Sequence, residues 1–84
     1  MSDTTLTIRL LTPEGILHEG PALAVFLPGT QSPFEVLPGH APIISALDGG
    51  VIRVVTDAEE QRFSIRSGMV KVKDNVVTIC AEMA

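Results

Sequence analysis

The sequence predicts an all-β domain, a two-layer antiparallel β-sandwich or flattened barrel of about nine to ten short strands. Three observations carry this. Apolar and polar residues alternate in stretches along the chain, and Gly, Pro, Asn and Asp punctuate it at short spacing. No window of a dozen residues holds a helical apolar period free of Gly or Pro. The third is composition: 45% of the 84 residues are apolar, yet there is no Trp or Tyr and only three Phe. The core must then be built from Val, Ile and Leu, which suit pleated strands. The whole chain, 1–84, reads as one domain. A chain of this length buries only about 60–65% of its unfolded surface.

The strands follow in order. Leu6, Ile8 and Leu10 alternate with Thr5, Thr7 and Arg9, the period of a half-buried strand. Thr12-Pro13-Glu14-Gly15 supplies a turn, and Ile16 to Glu19 a short strand closed by Gly20-Pro21. Ala22 to Leu27 is almost continuously apolar, as in a strand covered on both faces. Pro28-Gly29 breaks it, and Phe34 to Leu37 resumes alternation before Pro38-Gly39-His40-Ala41-Pro42 interrupts again. Ile43 to Leu47, Val51 to Thr56, Arg62 to Arg66, Met69 to Val72 and Val76 to Ala81 complete the set. Turns are expected at Asp48-Gly49-Gly50, Asp57 to Gln61, Ser67-Gly68 and Lys73-Asp74-Asn75. The alternation places Leu6, Ile8, Leu10, Val25, Val36, Ile52, Val54, Ile65, Val70, Val72, Val77 and Ile79 inward.

Composition excludes several functions. Ten acidic and six basic residues leave a net charge of −4, which repels polyanions, so nucleic acid is not an expected partner. Cys80 is alone and cannot form an internal disulfide; it lies in the apolar run Val76, Val77, Ile79 and is expected to pack as a small hydrophobe. His18 and His40 are far apart, and no metal site is expected. No phosphate loop, dinucleotide fingerprint or nucleophile elbow occurs, so the chain reads as non-catalytic and without a cofactor. Asp57, Glu59 and Glu60 read as a solvated run in a hairpin loop. Met1-Ser2-Asp3-Thr4-Thr5 has no secretory signal pattern, and no apolar run approaches the roughly 18–20 residues of a membrane span, so membrane association would pass through a partner. The mean hydropathy of +0.36 implies more apolar surface than so small a core can hide.

The segment Pro33-Phe34-Glu35-Val36-Leu37-Pro38-Gly39-His40-Ala41-Pro42-Ile43-Ile44, followed by Leu47, Gly50 and Ile52, resembles the signature stretch of the epsilon subunit of F-type ATP synthases. Thr12-Pro13-Glu14-Gly15, Leu27-Pro28-Gly29, Phe63, Gly68, Val70, Val72, Asn75, Val77 and Thr78 extend the resemblance over nearly the whole chain. It implies a β-sandwich rotor part at the foot of the central stalk, linking the gamma subunit to the membrane c-ring of a proton-translocating enzyme and coupling ion flow to ATP synthesis. The place implied is the cytoplasmic face of the bacterial inner membrane, peripheral, within the complex. By position the resemblance nominates Ser32, Pro33, Phe34 and Glu35, with His40, Ala41, Pro42 and Ile43, as contacts to c-ring and gamma. Ser32 and Glu35 stand where the family usually has glycines. Phe34 has a second reading as a core residue, and His40 one as a partner of its own turn's backbone. The family usually adds a C-terminal helical hairpin, which this chain, ending at Ala84, is expected to lack as a short form. The rival reading is a small β-barrel that binds a peptide or nucleic acid, against which stand the acidic charge and the absence of Tyr and Trp.

Overall fold

The computed structural model describes residues 4–84. Met1, Ser2 and Asp3, read above as carrying no secretory signal, lie outside the described residues. The chain folds into eight strands, with no helix among the described residues: β1 (Leu6–Thr12), β2 (Gly15–Ala22), β3 (Ala24–Leu27), β4 (Phe34–Val36), β5 (Ile43–Leu47), β6 (Gly50–Val55), β7 (Glu60–Lys73) and β8 (Val76–Met83). The all-β sandwich predicted from alternation is what forms, with fewer and longer strands than expected.

The count falls by one because Ser67-Gly68, expected as a turn, joins two of the expected strands, while Gly20-Pro21, also expected as a break, only moves the end of β2. Ser67-Gly68 does not reverse the chain. It lies at a register shift between Ile65 and Ser67 inside the 14-residue β7, where the strand passes from one layer to the other. Gly20-Pro21 likewise stays within β2, where Gly20 faces Ile8 and Pro21 faces Thr7. Pro is tolerated there because β2 is an edge strand, with no second ladder for its missing N–H to serve. By contrast Asp74 and Asn75, at φ of 52° and 64°, make the two-residue turn between Lys73 and Val76, the doubly left-handed conformation that matches strand twist in a tight hairpin.

β7 organises both layers. Its first half pairs with β6, and β3 and β4 follow outward; its second half lies between β5 and β8, with β1 and β2 beyond. The β1–β8 pair is parallel, the exception in an otherwise antiparallel sheet. Parallel neighbours need a long crossover, which the chain between these strands supplies.

The inner faces share one core containing all twelve residues that the alternation placed inward, joined by Ala22, Leu27, Leu47 and Ala81. Cys80 departs from expectation and is exposed. In β8 the inward phase belongs to Val77, Ile79 and Ala81, so Val76, Thr78 and Cys80 face outward. Glu60 lies in β7 and not in the preceding loop.

Candidate interface surfaces

The nominated residues fall on two separate patches. The first grows from Gly29, whose backbone forms an isolated bridge with Leu47. Thr30 N–H donates to the Ala46 carbonyl at 3.2 Å, and Asp48 N–H to the Pro28 carbonyl at 2.8 Å, so this loop closes the outer edge of β5. The chain then folds tightly back. A Cβ at Gly29 would stand 2.6 Å from the Ser32 carbonyl oxygen and 2.8 Å from the Phe34 ring. Ser32 and Pro33 are exposed, and Phe34 is half-buried against the core. The core reading of Phe34 and the contact reading are therefore compatible, since the residue packs on the core and is only half-buried.

Glu35 projects from the opposite face of β4, beside Phe26 across the ladder, and Phe26 in turn faces Arg53. The Arg53 guanidinium carbon lies 4.5 Å from the Phe26 ring centre. Arg53 also grips Glu60 with two hydrogen bonds, 2.9 and 3.1 Å, while Arg62 Nε donates to the same carboxylate at 2.7 Å. Hydrogen bonds from Arg53, then from Arg62, hold the Glu60 carboxyl down to about 2. The hydrogen bond to Glu60 raises Arg53 in turn, with smaller help from the charges of Glu60 and Glu35. This outer face is thus charged and internally neutralised. An open groove runs past it between Phe26, Pro28, Pro33, Phe34, Val51 and Arg53.

The second patch is the loop of Pro38 to Pro42. Leu37-Pro38-Gly39-His40 has the features of a type II turn: Pro sets φ at its second position, Gly39 takes φ of 87° at its third, and His40 N–H donates to the Leu37 carbonyl at 3.1 Å. His40 Nδ1 lies 2.7 Å from the Ala41 carbonyl, which accepts only, so Nδ1 carries the proton. The backbone-bonded reading of His40 therefore holds. Its ring is half-buried, while Ala41 and Pro42 are exposed. Ile43 opens β5 and packs on the core.

A third surface was missed by sequence reasoning. Register partners Ala46, Met69, Cys80, Leu11 and Ile16 form one apolar row across β5, β7, β8, β1 and β2, on the outer face of the sheet. The adjacent row is Ile44, Lys71, Thr78, Arg9 and Glu19, with Arg9 Nε on Glu19 Oε2 at 3.1 Å. Ile44 is 71% exposed and Ile16 58%. The signal was present in the sequence, because Leu11, Ile16, Ile44 and Met69 all occupy the outward phase of their strands. The two outer faces of the sandwich thus differ: one carries the Arg53–Glu60–Arg62 cluster, the other an unbroken apolar row beside a mixed one.

His18 packs against Phe63 with ring centres 5.4 Å apart and ring planes tilted by 45°, and its buried Nε2 has no hydrogen-bond partner. Among the described residues no three His, Cys, Asp or Glu side chains converge as a metal site requires.

Residues 5–84 match the family described as ATP synthase, delta/epsilon chain, β-sandwich domain. The chain is 40% identical over 80 residues to the ATP synthase epsilon chain of Synechococcus elongatus, covering 95% of this chain and 58% of that one. It is also 40% identical over 80 residues to the ATP synthase epsilon chain of Desulfitobacterium hafniense, covering 95% of this chain and 61% of that one. The chain thus spans about three-fifths of the length of these curated relatives. In structure it resembles a chain of the Euglena gracilis mitochondrial ATP synthase OSCP/F1/c-ring assembly, with a TM-score of 0.87 at 21% identity over 93% of this chain and 51% of that one. At that identity the likeness concerns the fold.

Proposed function

The chain belongs to the ATP synthase delta/epsilon β-sandwich family, and from that premise we propose that it is a non-catalytic rotor subunit of the central stalk. In this role it links gamma to the c-ring of a proton-translocating F-type enzyme and so couples ion flow to ATP synthesis. The match of the family over nearly the whole chain carries the reading.

The physics of the fold supports it. Transmitting torque calls for a stiff body with distinct contact surfaces, and a two-layer sheet with one shared, fully packed core deforms little. The apolar row centred on Met69 and Cys80, with the Pro38 to Pro42 loop near the start of β5, suits a broad protein partner, here gamma. Loop residues Ser32 and Pro33, with Phe34 and Glu35, offer a smaller projecting contact, here the polar loops of the c-ring. The subunit then sits at the cytoplasmic face of the bacterial inner membrane, held there by its partners.

Photo-crosslinkers at Ser32 and at His40, in the assembled enzyme, test both assignments. Capture of c-ring from Ser32 and of gamma from His40 is expected. Capture of neither would remove the assignment of these loops, and failure of the chain to co-purify with any rotor subunit would remove the function.

A further inference from the structure

The Pro38 to Pro42 loop is fastened by a residue 36 positions away. Asn75 Oδ1 accepts the Gly39 N–H at 2.8 Å, and the main-chain carbonyl of Asn75 accepts the Thr7 N–H at 2.8 Å. One residue therefore ties three segments: the loop, the start of β1 and the β7–β8 hairpin. The site restricts what can do this. At φ of 64° Gly, Asn and Asp are the residues favoured, and only Asn and Asp carry a side-chain acceptor.

The loop in turn has few groups to offer. Pro38 and Pro42 have no N–H, and the His40 N–H is committed to Leu37. Of the five residues only Gly39 and Ala41 retain a free main-chain donor, and the structure uses the one at the apex of the turn.

We propose that Asn75 is a positioning residue for partner docking: it holds the 38–42 loop in one conformation, so that His40, Ala41 and Pro42 meet the partner already ordered. This rests on the reading of that loop as a gamma contact. A single exposed hydrogen bond adds little to global stability. It acts instead on binding, because a loop left free must lose its backbone entropy at the moment of association.

The experiment compares the full chain with Asn75→Gly and Asn75→Asp. Glycine keeps the left-handed turn and the carbonyl bonded to Thr7 but deletes the acceptor; aspartate keeps the acceptor. In Asn75→Gly the Gly39 amide should exchange with solvent at least about tenfold faster while the Thr7 amide stays protected. Affinity for the cognate gamma and c-ring assembly stripped of this chain should fall about 5- to 10-fold, and Asn75→Asp should recover most of both losses. Rotor affinity unchanged in Asn75→Gly would overturn the proposal, as would a Gly39 amide that stays protected, or equal affinity losses in the Gly and Asp variants. A wild-type chain that does not bind the rotor would instead sink the functional reading, and this proposal with it.

Discussion

Cys80 stands directly opposite Met69 across the β7–β8 ladder, and both side chains point away from the core. A thiol and a thioether thus occupy the centre of an apolar row that crosses five strands. Because Cys80 is exposed, the folded chain should react completely with a water-soluble disulfide reagent in the absence of denaturant. A thiol released only on unfolding would contradict the strand phase described here. If gamma covers this face, assembly into the rotor should slow the reaction at least about tenfold, since labelling then requires the interface to open.

Glu60 gives the chain a defined acid response. Its carboxyl is held down to about 2 from an ordinary value of 4.5, chiefly by hydrogen bonds from Arg53 and Arg62. A depressed folded-state value means that the stabilisation is complete above the unfolded value and is lost as pH falls toward 2. Thermal midpoints of wild type and Glu60→Gln should therefore differ at about pH 7, and the gap should narrow below about pH 4.5 and close as pH approaches about 2. A gap that stays constant down to about pH 2.5 would show that the ion pairs contribute nothing.

Gly68 is required by space. A Cβ there would stand 2.8 Å from the Cys80 carbonyl oxygen and 3.3 Å from Ala81 Cα, both main-chain atoms that cannot swing aside. Gly68→Ala should cost about 1–3 kcal/mol in urea unfolding. Gly20 is the control: it also lies within a strand, but nothing stands within 4 Å of its Cβ position. Gly20→Ala should be neutral or stabilise by up to about 1 kcal/mol. Equal effects at the two sites would refute the steric account.

The sequence was most legible where alternation was clean. In β1, Leu6, Ile8 and Leu10 are separated by Thr7 and Arg9, so only one phase can face the core. In β8 the same alternation puts Val77 and Ile79 inward, as found, and with them Ala81; the expectation that Cys80 packs as a small hydrophobe follows the apolar run and not this phase, and Cys80 is exposed. Ser67-Gly68 carried turn chemistry, but whether such a pair reverses a strand or bulges it depends on the partners on either side, and β5 and β8 are contributed from elsewhere in the chain. The tie between Asn75 and Gly39 spans 36 residues and leaves no local pattern at all. For the same reason the motif around His40 located the loop but not what holds it.

Met69 and Val70 separate what the apolar residues do for folding from what they do for binding. They are neighbours in β7 on opposite faces: Val70 is 1% exposed and Met69 48%. Val70→Ala removes buried methyls where Val70 packs between the layers, and should cost about 2 kcal/mol. That is a large share of the roughly 5–15 kcal/mol that sustains a domain. Met69→Lys places a charge where the side chain already meets water, with Lys71 two residues along the same face, and should change stability by no more than about 0.5 kcal/mol. Its effect should fall on association. If gamma covers this row, a charge in its middle must be desolvated without a designed partner, which should weaken rotor binding at least about tenfold. Chemical denaturation and pull-down of gamma, measured on both variants, check this. A Met69→Lys chain that binds the rotor as well as wild type would show that this face stays open in the assembled enzyme.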